Sequence, residues 1–304
     1  MDIVAHIPRV SLGLPVYNGE RYLAAALDSL LAQTFRDFEL IICDNASTDG
    51  TGAICLDYAA REPRIHYHRA PRNGGAVRNH NWAAELARGE YFKWTAHDDV
   101  YEPEFLTRCV EHLDAHPEVV LVFSRSRFID ENGAPMHEYR HPLDLGSPDV
   151  ATRFLGFVCG SHIMVEDYGL MRRAVLGLTP RYGNYVWSDM TLFGELALHG
   201  PFHELPEVLF LRREHPARAM RAHKDAASLS LFNDPNRSAG AVCPTWRVLA
   251  GHLASLFRAP LSPRERLQLA LGIVKRGLWS HQLAHELRLA LLVAAGIISF
   301  SVGE

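Results

Sequence analysis

The sequence predicts an α/β fold: a doubly wound, mostly parallel sheet followed by a C-terminal helical appendage. Three observations predict it. Short β-branched runs alternate with helical patterns through the first half of the chain, that rhythm breaks after Ser124, and from Lys224 onward the apolar spacing is helical. Strand–helix–strand repetition requires parallel strands joined by right-handed crossovers. A chain of 304 residues holds one such domain and an appendage, divided here into residues 1–222 and residues 223–304.

Residues 10–14, 38–44, 65–68, 91–95 and 119–124 are expected as strands, with helices over 21–33, 51–61, 77–87 and 103–116 between them. In the first helix Tyr22, Leu23, Ala26, Leu27, Leu30 and Leu31 share one face. The second helix starts from Asn45-Ala46-Ser47-Thr48-Asp49-Gly50, a cluster of cap and turn formers. Past Ser124, Asp130-Glu131-Asn132-Gly133 marks a hairpin turn. Residues 137–162, rich in His, Pro, Gly and Asp, read as irregular. A helix over 189–199 stops at Gly200-Pro201, and two short strands follow over 202–205 and 208–213.

Composition narrows the function. Hydrophobic residues make up 48% and charged residues 22%, which excludes extended disorder. A formal charge of -4 gives no footprint for nucleic acid, so no nucleic-acid partner is expected. Five widely spaced cysteines without a C-x-x-C pair indicate neither a disulfide framework nor a zinc–thiolate site. No signal peptide is read at the N-terminus, and the longest uncharged apolar run, 289–302, is shorter than the roughly 20 residues a bilayer needs. The expectation is a cytoplasmic protein.

In an open parallel sheet, ligands collect beyond the carboxyl ends of the strands. Here those ends read Pro15-Val16-Tyr17-Asn18-Gly19-Glu20, Asp44-Asn45-Ala46-Ser47, Arg69 to Gly75, and His97-Asp98-Asp99. None is a G-x-G-x-x-G turn or a G-x-x-x-x-G-K-[ST] loop, which removes dinucleotide oxidoreductases and P-loop hydrolases. Asp98 and Asp99 repel each other and gain by binding a hard divalent cation, or else they cap the helix that follows. Asp44 can accept from N3–H of uracil or thymine, or from N1–H of guanine, or it can cap its helix. Arg72 and Arg78 flank a glycine pair and suit a diphosphate, or else they are solvated loop residues.

The ordered blocks "LPVYNGERYLAAALDSLLAQT", "FELIICDNASTDGT", "NGGAVRNHNWA", "ARGEYFKWTAHDDV" and "PEFL" resemble the family 2 glycosyltransferases of the GT-A fold. The match runs almost continuously over about residues 9–130 and thins through 160–215. The resemblance implies a nucleotide-sugar donor, a divalent cation (Mg²⁺ or Mn²⁺) and inversion at the anomeric carbon. It implies that Pro15, Tyr17, Glu20 and Asp44, with Asn45 beside them, line the base and ribose pocket. Arg72 would approach the base or phosphates, Asp98 the ribose or donor sugar, and Asp99 would hold the cation. The family's base, often the Asp of a Glu-Asp pair, matches Asp189 of Trp187-Ser188-Asp189, where the preceding Glu is missing. Glu195 and Glu166 are the fallbacks, and a helix-start role for Asp189 is the alternative. His215 matches the basic segment that closes over the diphosphate, unless it is a plain surface histidine. Neither the Q-x-x-R-W motif nor the membrane helices of processive synthases are present, so one transfer per acceptor is expected.

Rival readings are a catalytically inactive sugar-nucleotide-binding module and a nucleotidylyltransferase, the latter weakened by the lack of a Gly-rich basic loop near residues 10–20. His281 and His285 stand at i, i+4, but Gln282 replaces the Glu of H-E-x-x-H. The acceptor, a glycan, natural product or lipid-linked sugar, is expected against residues 135–178. The apolar tail could pack on the sheet domain, form a homodimer, or lie on the inner face of a membrane. Its diluted basic charge favours a protein contact.

Overall fold

The computed structural model describes residues 6–223, 225–236 and 244–277. His281, His285, Cys243, Lys224 and the apolar run 289–302 lie outside the described residues. The first half folds as β1 Val10–Val16, α1 Glu20–Leu31, β2 Phe38–Asp44, α2 Thr51–Arg61, β3 Ile65–Arg69, α3 Ala76–Leu86 and β4 Tyr91–Trp94. β1 pairs parallel with both β2 and β4, and β3 lies outside β2. β2 is buried at every position, because helices cover both faces of the sheet, and it therefore reads as a continuous apolar run. The expected strands and helices of this half are all present, with ends shifted by one or two residues.

The second half is less regular. It comprises β5 Val100–Tyr101, α4 Phe105–Ala115, β6 Leu121–Ile129, β7 Pro135–Tyr139, α5 Val150–Cys159, β8 Leu170–Arg172, α6 Arg173–Leu176, α7 Ser188–His199 and β9 Phe202–Arg213. The sheet runs β3-β2-β1-β4-β8-β6-β9-β5, with β7 paired to β6. β8 is antiparallel to β4 and β6, whereas β6 and β9 are parallel. The expected turn at Asp130–Gly133 joins β6 and β7, and Gly133 takes φ 88°, as a tight hairpin requires.

Two expectations differ from what is found. The two short strands over 202–205 and 208–213 are one strand, β9. Pro206 has no N–H to give the ladder, so the pairing with β6 shifts register there and resumes. The stretch 137–162 is not irregular throughout, since it holds α5. That helix is capped by Asp149, whose carboxylate accepts from Thr152 N, and it buries Phe154 and Phe157.

The tail holds α8 Ala219–Ala222, α9 Ala226–Asn233, α10 Pro244–Arg258 and α11 Pro263–Gly277. α10 packs on α7, and α11 on α5 and α10. Phe154, Leu198, Leu256, Leu269 and Ile273 form a second small core at this junction. Glu195 is fully buried there and accepts from Arg258 Nε at 2.7 Å and Nη2 at 2.6 Å. The described part of the tail is thus packed within the chain, while Leu267, Leu271 and Val274 face outward from α11. Among the described residues no helix is long and apolar enough to cross a membrane.

Lys93 on β4 is fully buried, and its Nζ has no hydrogen-bond partner among the described residues. The ammonium lies 3.6 Å from the Tyr101 ring centroid and 5.0 Å from that of Phe105. Burial pushes this lysine down to about 7, although Cys109, Asp99 and Asp167 act to raise it. Between that value and the ordinary 10.5, the unfolded chain holds a proton that the folded chain has released, so this group makes stability rise with pH across the window. Lys93→Met keeps contact with both rings. Denaturant unfolding of this variant is expected to show a gain of about 1–3 kcal/mol at neutral pH and a flatter rise toward alkaline pH. A loss of stability would mean that the ammonium is needed where it is.

Candidate active site

At the carboxyl edge of the sheet, the loops after β1 and β2 are bonded to each other. Asn18 N donates to Ser47 Oγ at 2.9 Å, and Thr48 N donates to Asn18 Oδ1 at 2.8 Å. Gly19 N donates to Thr51 Oγ1 at 2.8 Å, while Glu20 accepts from Gly50 N at the start of α2. Asn18 and Ala46 take φ 52° and 62°, left-handed values that these tight turns impose. A Cβ on Gly19 would stand 2.6 Å from His97, so this loop also touches the segment carrying the paired aspartates. Tyr17 is exposed and Pro15 half-buried on the same loop.

Asp44 is fully buried at the end of β2. Its Oδ1 accepts from Ser47 N at 2.7 Å, and its Oδ2 from Tyr67 Oη and Arg69 Nη1, both at 2.7 Å. Asp44 thus holds the turn after β2 and clamps β2 to β3, whereas the helix-cap alternative is not met: α2 begins at Thr51 after Gly50, with no side-chain cap. Asn45 holds the next loop: its Oδ1 accepts from Gly74 N, and its Nδ2 donates to Asn73 Oδ1, both at 2.8 Å. Asn45, Arg72 and Arg78 line a cavity of about 640 Å³, together with Trp82, Tyr182 and Asn233. Both arginines are exposed and have no ion-pair partner among the described residues. Gly75, at φ 86°, lets α9 close one side, since a Cβ there would meet Asn233 O at 2.1 Å.

Asp98 and Asp99 do different work. His215 Nε2 lies 2.8 Å from Asp98 Oδ2, and both side chains are mostly buried. Burial acts to raise Asp98, but His215, His97 and Arg218 hold it below the usual carboxylate range. Asp99 is 1% exposed and turned inward, where its Oδ1 accepts from Arg213 N at 2.8 Å. Burial, and then the neighbouring charge of Asp98, push Asp99 upward. The structure pairs Asp98 with His215 and leaves Asp99, the cation holder expected from sequence, bonded to backbone.

Arg213 fixes this arrangement. Its Nε donates to Asp98 O at 2.9 Å and its Nη1 to Asp130 O and Glu131 O at 3.2 Å. Its guanidinium lies 4.9 Å from the Tyr22 ring centroid, and that ring also contacts His215 at 4.9 Å. Arg218 carries charge close to Asp98, Asp99 and Tyr168. Sequence reasoning missed both arginines. The only available signal was the basic run Arg212-Arg213 beside His215.

Asp189 opens α7, and its Oδ1 accepts from Met190 N at 2.9 Å. Burial raises its carboxyl, and Glu166 adds to the effect. The residue two before it, Trp187, takes φ 63°, a left-handed conformation that costs a bulky side chain about 1–2 kcal/mol. Nearby, burial pushes Asp167 up to about 8. Of the fallback residues, Glu195 is tied up by Arg258, and Glu166 is fully buried between His141 and His162. Tyr182 connects the two regions: it lines the cavity, feels the charges of Asp167 and Asp189, and is bonded through its backbone to Asn81.

Residues 11–177 match Glycosyl transferase family 2. An uncharacterised protein of Sinorhizobium fredii is 34% identical over 278 residues, which are 88% of this chain and 29% of that protein. A chondroitin synthase of Escherichia coli is 28% identical over 214 residues, 69% of this chain and 29% of the synthase. The chain thus spans under a third of either relative's length. Among solved structures, S. aureus TarS in complex with UDP-GlcNAc superposes with a TM-score of 0.66 at 18% identity, over 95% of this chain and 78% of that one. A Pyrobaculum calidifontis mannosyltransferase in complex with GDP-Man and Mn²⁺ gives 0.56 at 20% identity, over 97% and 77%. These likenesses bear out the α/β architecture of the GT-A fold.

The clamp makes a stability prediction. Arg213→Met strips the donors from three backbone carbonyls and is expected to cost about 2–4 kcal/mol in chemical denaturation. Arg213→Lys should recover only part, because a single ammonium cannot reproduce the fork. Full stability in Arg213→Met would mean that the loops hold Asp98 without it.

Proposed function

Because the chain belongs to glycosyl transferase family 2, we propose that it is an enzyme moving one sugar at a time from a nucleoside-diphosphate sugar to an acceptor hydroxyl. The observation that carries this reading is the arginine-lined cavity of about 640 Å³, which shares the carboxyl edge of the sheet with the Asp98–His215 pair. Arg72 and Arg78 meet the diphosphate with charge that no ion pair among the described residues takes up. The base lies toward Asp44 and Asn45, with Pro15, Tyr17 and Glu20 on the adjoining loop. Asp44, fully buried under Ser47, Tyr67 and Arg69, would have to be uncovered as the base enters. Its carboxylate could then accept from N3–H of uracil or thymine, so UDP or dTDP is favoured.

Of the two expected divalent cations, Mn²⁺ suits Asp98 Oδ2 with His215 Nε2 better than Mg²⁺, which takes oxygen ligands. The ion would replace the 2.8 Å hydrogen bond between the two side chains. Bound there, it supplies positive charge to the leaving diphosphate. Asp99 in this reading supports the loop through Arg213 N rather than holding the ion. Asp189 is the base: its carboxylate removes the acceptor proton as the new C–O bond forms, and attack from the face opposite the leaving group inverts the anomeric centre. Acceptors of the classes expected from sequence would approach over residues 135–178, in the cytoplasm where nucleotide sugars are available.

Two outcomes test this. With Mn²⁺ present, UDP or dTDP should raise the melting temperature and GDP should not, and at least one UDP- or dTDP-sugar should be turned over. Equal stabilisation by all three would remove Asp44 as the base reader, and binding without turnover of any donor would leave a binding module. Asp189→Asn should keep nucleotide binding and lose about 10²–10⁴-fold in kcat. Since Asp189 is raised, the wild-type kcat/KM should fall as pH drops through a point above the ordinary carboxylate range, and the variant should lack that limb. Weakened nucleotide affinity with normal kcat would move the base elsewhere.

A further inference from the structure

We propose that His141, His162 and Glu166 form a second cation site, for zinc or a similar divalent transition metal, apart from the donor pocket. His141 follows β7, His162 follows α5, and Glu166 lies on the single turn of 3₁₀-helix at Glu166–Tyr168. One ligand atom from each lies within 4.8 Å of the others. Both imidazole side chains are 1% exposed and the carboxylate 0%. Three ionisable side chains drawn from separate segments and shut away from water are costly unless something joins them.

The separations leave room for a metal. Glu166 Oε1 stands 3.0 Å from His162 Nε2, a hydrogen bond, and the other oxygen, Oε2, stands 3.4 Å from His141 Nε2. Bonds of about 2.0–2.1 Å in a tetrahedron put neighbouring ligand atoms about 3.3–3.4 Å apart, so the carboxylate would have to turn to offer both nitrogens the same oxygen. His141 Nε2 is buried and has no hydrogen-bond partner among the described residues, although it faces the carboxylate. Two imidazole nitrogens and one carboxylate oxygen match zinc, cobalt(II) or manganese(II) better than calcium. Leu143 N reaches His141 Nδ1 at 3.3 Å. Binding through Nε2 places the ring proton on Nδ1, so this amide must turn aside when the ion enters.

None of the three residues lines the donor-side cavity, and none bonds to Asp98 or His215. They join the segments that lead from β7 to β8, and Glu166 and His162 both act electrostatically on Asp189. A cation there staples the acceptor side of the molecule.

The test uses the full chain, stripped with a chelator and titrated with Zn²⁺ or Co²⁺ without nucleotide. In Asp98→Ala, which removes a ligand of the donor-side cation, the chain should bind one equivalent, show a visible Co²⁺ absorption band and melt at a higher temperature with Zn²⁺. His162→Ala and Glu166→Gln, each added to Asp98→Ala, should lose all three responses. If either double variant does not fold, the Asp98→Ala response still decides. An Asp98→Ala chain without band, retained ion or melting shift overturns the proposal. So does a response that survives in the double variants.

Discussion

Two carboxylates on consecutive residues at the end of a buried strand set the terms for this molecule. Asp98 and Asp99 cannot both stay ionised in one enclosed place without opposing charge or hydrogen-bond donors. The fold separates them. Asp99 turns inward onto the Arg213 amide, and Asp98 turns to His215. Both partners come from the far end of β9, more than a hundred residues away in sequence. The long strand, its parallel pairing with β6 and its register shift at Pro206 deliver Arg213 and His215 to that spot.

Other features of the site follow from the same geometry. The Arg213 fork ties Asp98 O to the hairpin carbonyls of Asp130 and Glu131, and its face packs on Tyr22 at the start of α1. Tyr22 in turn touches His215, so the first helix, the paired aspartates, the hairpin and the last strand form one contact set. The zipped loops after β1 and β2 complete the edge, with left-handed residues at Asn18 and Ala46. Strain recurs at Trp187, two residues before Asp189. Backbone strain of this kind persists only where surrounding packing over-determines it.

The first half of the fold was legible because its signals are local. Apolar runs bounded by turn formers, such as Phe38–Asp44 before Asn45-Ala46-Ser47, carry their structure in their own residues. The strand-end inventory likewise led to Asn45, Arg72 and Arg78, which share a cavity. The second half was less legible because its determinants are distant. α5 hid behind His, Pro, Gly and Asp neighbours, although Asp149 and Thr152 supply its cap. The different orientations of Asp98 and Asp99 could not be read from adjacent identical letters, since they depend on Arg213 and His215. The meeting of His141, His162 and Glu166 depends in the same way on tertiary folding.

In the proposed function, Asp98 and His215, not Asp99, hold the cation that assists nucleotide binding. Calorimetric titration of UDP with and without Mn²⁺ tests it most directly, comparing the wild type with Asp98→Ala, His215→Ala and Asp99→Asn. Mn²⁺ is expected to strengthen UDP binding in the wild type and in Asp99→Asn, and to have no effect in the other two. Loss of the Mn²⁺ effect in Asp99→Asn, with its retention in Asp98→Ala and His215→Ala, would give the cation to Asp99 instead.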